Sequence, residues 1–137
     1  MTTRQAYSST RVGWGQTQGD IIALLAKYGI TDIRFTNYAG KAVVEFLLPD
    51  KHWPVRLSMP VDISDRKEAD RRYRVLFWYI KSKLEAANSE VTDMETEWLP
   101  YVVIGPSTVS ERMLPVMDQL GPSTEVFGGL LPPGKDQ

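Results

Sequence analysis

Apolar residues fall at helical spacing in some stretches of the chain and at every second position in others, and the two periods divide it into elements. Ile21, Leu24, Leu25 and Tyr28 stand at i, i+3, i+4 and i+7 and predict a first helix. Thr17-x-x-Asp20 reads as its capping start, Gly29 as its left-handed close, and Ile30 as the apolar residue that folds back on it. Ile33 and Phe35 then alternate with polar neighbours, and Asn37-Tyr38-Ala39-Gly40 is a turn signal. From Lys41 to Leu48, residues Ala42, Val44, Phe46 and Leu48 share one face. Pro49-Asp50-Lys51-His52 breaks that strand. Trp53, Val55, Leu57 and Met59 alternate with Pro54, Arg56, Ser58 and Pro60, which predicts an edge strand because proline cannot donate to a ladder. The three strands make an antiparallel meander with one buried face.

The longest periodic stretch runs from Arg66 to about Ala87 without Gly or Pro. Asp65 and Glu68 give it a start, and Ala69, Tyr73, Leu76, Phe77, Ile80, Leu84 and Ala87 form its core stripe. Thr92-x-x-Glu95 predicts a short helix ending before Pro100, and Tyr101 to Ile104 reads as one further buried strand. Thr108-x-x-Glu111 opens a last helix in which Val109, Met113, Val116, Met117 and Leu120 share a face and which Pro115 should kink or split. The Met113 and Met117 pair reads as core, with docking of a partner helix as the other use of such a face. The expected fold is α+β: a small antiparallel sheet, a three-stranded meander plus one further strand, covered by a long amphipathic helix and shorter helices.

Composition bounds this picture without changing it. The 137 residues, 42% hydrophobic and 24% charged, suffice for one core. A flexible N-terminal arm over 1–16, one domain over 17–121 and a C-terminal tail over 122–137 are expected; the tail carries an apolar patch of Val126, Phe127, Leu130 and Leu131. With no cysteine there is no disulfide frame, thiolate nucleophile, Cys-type zinc site or iron-sulfur cluster. No apolar run approaches a membrane span, and the first sixteen residues lack the apolar core of a signal peptide, so a cytoplasmic location is expected. The net charge of −1 conceals an asymmetry. Residues 1–88 hold fourteen Lys and Arg against nine Asp and Glu, a net of +5, and residues 89–137 hold two against eight, a net of −6.

Candidate chemistry is sparse. The long helix has a second stripe, away from its core face, of Lys67, Arg71, Arg74, Trp78, Lys81 and Glu85. Cations one turn apart can follow a phosphate backbone and an exposed indole among them can stack on a base, the combination used by sequence-tolerant binders of single strands. Arg72, Lys83 and Tyr79 flank the row, and Arg34 or Arg56 would extend it if the sheet edge lay alongside. Against this stands a solvated cationic face with Trp78 packed beneath the C-terminal half, which could dock there. His52, the only histidine, lacks an identifiable nucleophile or orienting carboxylate and reads as a surface-loop residue. Glu90, Asp93, Glu95 and Glu97 form the one dense acidic cluster; a solvated helix start accounts for it better than Mg²⁺ held through waters. The Gly13 to Gly19 run enters a helix but matches neither glycine-rich phosphate-binding motif. No metal site and no cofactor are expected.

The run Arg71-Arg72-Tyr73-Arg74 through Lys81-Ser82-Lys83-Leu84-Glu85-Ala86 resembles a signature of short phage and prophage proteins, an arginine-aromatic-arginine step, an apolar run and Lys-x-Lys-Leu-Glu. Lys27-Tyr28-Gly29, the strand from Lys41 to Leu48 and the stretch from Glu95 to Ile104 extend the likeness over about 100 residues. Tyr73 stands where that group has tryptophan. The resemblance implies a phage or prophage origin, the host cytoplasm, and a small accessory role in DNA replication or recombination; it brings no activity and no site. The expected function is therefore non-enzymatic binding of nucleic acid, single-stranded, through Lys67, Arg71, Arg74, Trp78 and Lys81. The rival is a protein-interaction module, a host-factor modulator or homo-oligomer, using the acidic C-terminal half.

Overall fold

The computed structural model describes residues 13–123 and residue 125. Most of the expected N-terminal arm and the apolar patch of the tail lie outside them. The elements in chain order are α1 (Trp14–Ala26), β1 (Ile33–Tyr38), β2 (Lys41–Leu47), β3 (Pro54–Pro60), α2 (Arg66–Asn88), α3 (Met94–Trp98), a 3-10 turn (Leu99–Tyr101), β4 (Val103–Ile104), β5 (Ser107–Thr108), α4 (Val109–Met113), a second 3-10 turn (Leu114–Val116) and α5 (Met117–Leu120). The fold is α+β.

The meander forms as the alternation requires. β1, β2 and β3 are adjacent and antiparallel, with Phe35 opposite Val44 and Val44 opposite Leu57. Tyr38 pairs with Lys41, so the first hairpin closes on two residues, Ala39 at φ +52° and Gly40 at φ +72°. That double left-handed turn matches the right-handed twist of the flanking strands. Ala42, Val44, Phe46, Val55 and Leu57 face the core, joined by Ile21, Leu24 and Leu25 of α1 and Ala69, Tyr73, Leu76, Ile80 and Leu84 of α2. Phe77 is only partly buried, at the margin of the core.

Tyr73 ties the layers together. Fully buried, it donates its hydroxyl to Asn37 Oδ1 at 2.7 Å and accepts from Gln18 Nε2 at 3.1 Å, linking α2 to β1 and α1. The Trp14 ring stacks on it with centroids 5.4 Å apart, and the Trp14 N–H donates to Asp70 Oδ1 at 2.8 Å. These contacts start α1 at Trp14, ahead of the expected Thr17. Thr17 is therefore an interior, buried residue whose hydroxyl turns back to Gly13 O, and the anticipated cap at Thr17 does not form. The other end of α1 follows expectation: Gly29 takes φ +82°, and the Ile30 N–H reaches Leu25 O at 3.1 Å as the side chain buries.

Asp65 caps α2 by accepting from the Glu68 N–H at 3.2 Å. The start of α3 shifts by one residue, because Asp93 rather than Thr92 accepts from the Thr96 N–H, at 2.7 Å. The further strand does not extend the meander: β4 pairs with β5 in a two-stranded ladder, and a single Val55–Val102 bridge joins it to β3. The capping box at Thr108 and Glu111 is present in both directions. Pro115 splits the last helix with a 3-10 turn. Its apolar face is not core: Met113 is 41%, Leu114 70%, Met117 38% and Leu120 56% exposed, and no residue from Val109 to Leu120 is buried. Among the described residues only Val109, at its start, packs partly against the core; the period shows which side is apolar, not what covers it.

Candidate nucleic-acid interface

α1 and α2 cover one face of the sheet, and the stripe from Lys67 to Glu85 lies on α2 away from its buried residues, with Arg74 reaching α1. Trp78 is 57% exposed. It does not lie under the C-terminal elements; its ring meets the edge of Phe77 at 5.4 Å, and the Lys81 ammonium stands 5.7 Å from its centroid. Val75, at 56% exposure, and Ile22 on α1, at 45%, add apolar surface that core-stripe reasoning did not anticipate.

The cations of the stripe divide into three kinds. Lys67 is exposed and makes no ion pair among the described residues. Arg71 and Lys81 are held in pairs along the helix, Arg71 with Glu68 at 2.9 Å and Lys81 with Glu85, one turn on. Glu68 also accepts from Arg72 at 3.0 Å, and the bonds from Arg71 and Arg72 hold its carboxyl below the ordinary glutamate range. Arg74 is an anchor: its Nη2 donates to Thr17 Oγ1 and Asp20 Oδ2, both at 3.2 Å, and its guanidinium lies 5.0 Å from the Phe77 centroid. Three of the four cations thus have a carboxylate of this chain beside them. Glu68 and Glu85 were legible as i−3 and i+4 neighbours; Asp20 was not, since only the packing of α1 on α2 brings it there. Such exposed pairs contribute about 0–1 kcal/mol each, so a phosphate can displace them at small cost.

The flanking residues separate. Arg34 and Arg56 lie on the opposite face of the sheet, paired with Glu45 at 2.7 and 3.2 Å, and cannot extend the row. Lys83 turns away into a box of aromatic rings, donating to Glu97 Oε2 at 2.7 Å. His52 is an exposed loop residue at φ +58°. The acidic stretch disperses, with Asp93 used as a cap and Glu97 as the partner of Lys83. Among the described residues no three His, Asp or Glu stand close enough to hold a metal. Gly15 and Gly19 lie within α1 and form no phosphate loop. No helix of the described residues is long and apolar enough to cross a membrane.

No protein-family model, curated protein or solved structure matches this chain.

Proposed function

We propose that this chain is a non-enzymatic accessory protein of the phage or prophage type that binds single-stranded nucleic acid in the host cytoplasm on the solvent face of α2. Trp78 is the observation that carries the reading: a large indole, more than half exposed, with Lys81 against its ring and Arg71 and Lys67 further along the same face. Base stacking on such a ring contributes about 1–3 kcal/mol per base, and the cations supply the attraction for phosphate. Arg74, bonded to Thr17 and Asp20 of α1 and standing over the Phe77 ring, acts as a support.

The test is fluorescence anisotropy of a labelled single strand at low salt, with quenching of tryptophan emission followed in parallel. Contacts from Lys67, Arg71 and Lys81 predict a slope of about −2 in log affinity against log salt, at about −0.7 per phosphate on a single strand. Trp78→Ala should weaken binding about 5- to 150-fold while leaving the melting temperature unchanged. No anisotropy change with micromolar protein at low salt refutes the reading.

A second reading has its own observation. The exposed apolar residues of α4 and α5, with Met113, Leu114 and Met117 uncovered, favour a protein partner at the acidic C-terminal half. A Leu114→Asp variant that keeps full oligonucleotide affinity but loses self-association in light scattering would establish that use.

A further inference from the structure

The sheet face turned away from the helices is organised in rows. Across the three strands Arg34, Glu45 and Arg56 stand side by side, then Thr36, Val43 and Ser58, then Tyr38 and Lys41. Neighbouring rows are about 7 Å apart, so the guanidinium row and the Lys41 row are separated by about 13 Å. Together with Pro106 and Glu111 from the β4–β5 side they enclose a trough of about 470 Å³, within the size range of small-molecule sites. Its floor is Val43, 92% buried although it belongs to no part of the core cluster.

The donors in this trough differ from those of α2. Among the described residues, the hydroxyls of Thr36, Tyr38 and Ser58 make no hydrogen bond, and the Lys41 ammonium makes neither hydrogen bond nor direct salt bridge, although, after the Thr108 N–H bond, its charge and that of Arg56 help hold the Glu111 carboxyl below the ordinary range. Tyr38 is 61% exposed. The two carboxylates present are already engaged. Glu45 is bracketed by Arg34 and Arg56; burial alone would raise its carboxyl, but the two guanidiniums bring it below the ordinary range. Glu111 accepts from the Thr108 N–H. The trough therefore offers an ammonium, three hydroxyls, an aromatic face and a charge-paired end, around a small apolar floor.

We propose that this trough binds a small phosphate ester of a sugar, of the sugar phosphate or nucleotide class. Its phosphate sits between Lys41 and the Tyr38 hydroxyl, and its sugar hydroxyls bond Thr36 and Ser58 over Val43. This site lies on the side of the sheet opposite Trp78 and does not depend on the polyanion reading of α2.

Amide chemical shifts of the full chain, titrated separately with adenosine monophosphate, ribose 5-phosphate and inorganic phosphate, test it. Shifts at Thr36, Tyr38, Lys41 and Ser58 with either ester, at concentrations where inorganic phosphate gives none, are expected. Response to both esters assigns the sugar phosphate as the recognised unit, and response to the nucleotide alone assigns the base as well. Lys41→Ala should weaken binding 10-fold or more and Ser58→Ala about 3-fold, with Lys41→Arg restoring most of it and Trp78→Ala without effect. Absence of shifts at millimolar ester, equal binding of inorganic phosphate, or full affinity in Lys41→Ala would overturn the proposal.

Discussion

Replacing Lys83 by methionine isolates the joint between the long helix and the segment that follows it. The ammonium donates to Glu97 Oε2 at 2.7 Å and to the Glu97 carbonyl at 3.2 Å, and it lies 5.1, 5.4 and 5.3 Å from the centroids of Tyr79, Trp98 and Tyr101. Its side chain is 12% exposed. Methionine keeps most of the buried stem, so the change removes charge and hydrogen bonds with little loss of packing. Hydrogen bonds to a charged group contribute about 1.5–3 kcal/mol, and the ring contacts add about 0.5–2 kcal/mol. The desolvation of the ammonium, several kcal/mol in a buried site, offsets part of that gain. Glu97, 22% exposed, is then left without its partner. The net expectation is a loss of about 2 kcal/mol, equivalent to about 6–8 °C in melting temperature for a domain of this size. Urea unfolding followed by circular dichroism measures it, and a double-mutant cycle with Glu97→Gln should return a coupling of about 1 kcal/mol or more. A loss below about 0.5 kcal/mol, or a gain in stability, would show that desolvation cancels the pair, as it does for many buried ion pairs, and would refute the assignment of this lysine as a staple.

Three further outcomes are expected. Ala39 sits at φ +52° in the two-residue hairpin loop, where asparagine is better accommodated; Ala39→Asn should stabilise by about 0.5–1 kcal/mol in the same urea assay. Burial and the bond with the Tyr79 hydroxyl push the Tyr101 phenol up to about 12. Because the folded value is above the unfolded one, the neutral phenol is favoured by folding, and the stability it confers is present below pH 10 and lost as pH rises toward 12; ultraviolet titration should show a late tyrosine whose shift shrinks, with burial still raising it, in Tyr79→Phe. Glu68→Gln removes the carboxylate shared by Arg71 and Arg72, so it should strengthen oligonucleotide binding several-fold and steepen its salt dependence, and unchanged affinity would show that those arginines do not reach phosphate.

The local pattern carried the elements whose stability is decided within a few residues. The two-residue hairpin, the glycine close of α1, the Asp65 cap and the Thr108–Glu111 capping box are each satisfied by neighbours in sequence, and each was legible for that reason. The start of α1 was not, because Trp14 is held by Asp70 and Tyr73, more than fifty residues away. An amphipathic period marks a side that is apolar, yet burial needs a second surface. α2 has the sheet and is buried along Tyr73, Ile80 and Leu84, whereas the helices after Thr108 reach the core, among the described residues, through the partly buried Val109 alone and stay largely exposed. The same distinction governs the candidate sites. The sequence alone determined that cations and an indole share one side of a helix. Only the tertiary structure decided that Trp78 faces solvent, that Asp20 reaches Arg74 across the α1–α2 contact, and that Arg34 and Arg56 stand on the far side of the sheet. Spacing along one element fixes which side chains are neighbours, but exposure and charge pairing between elements depend on what packs against what.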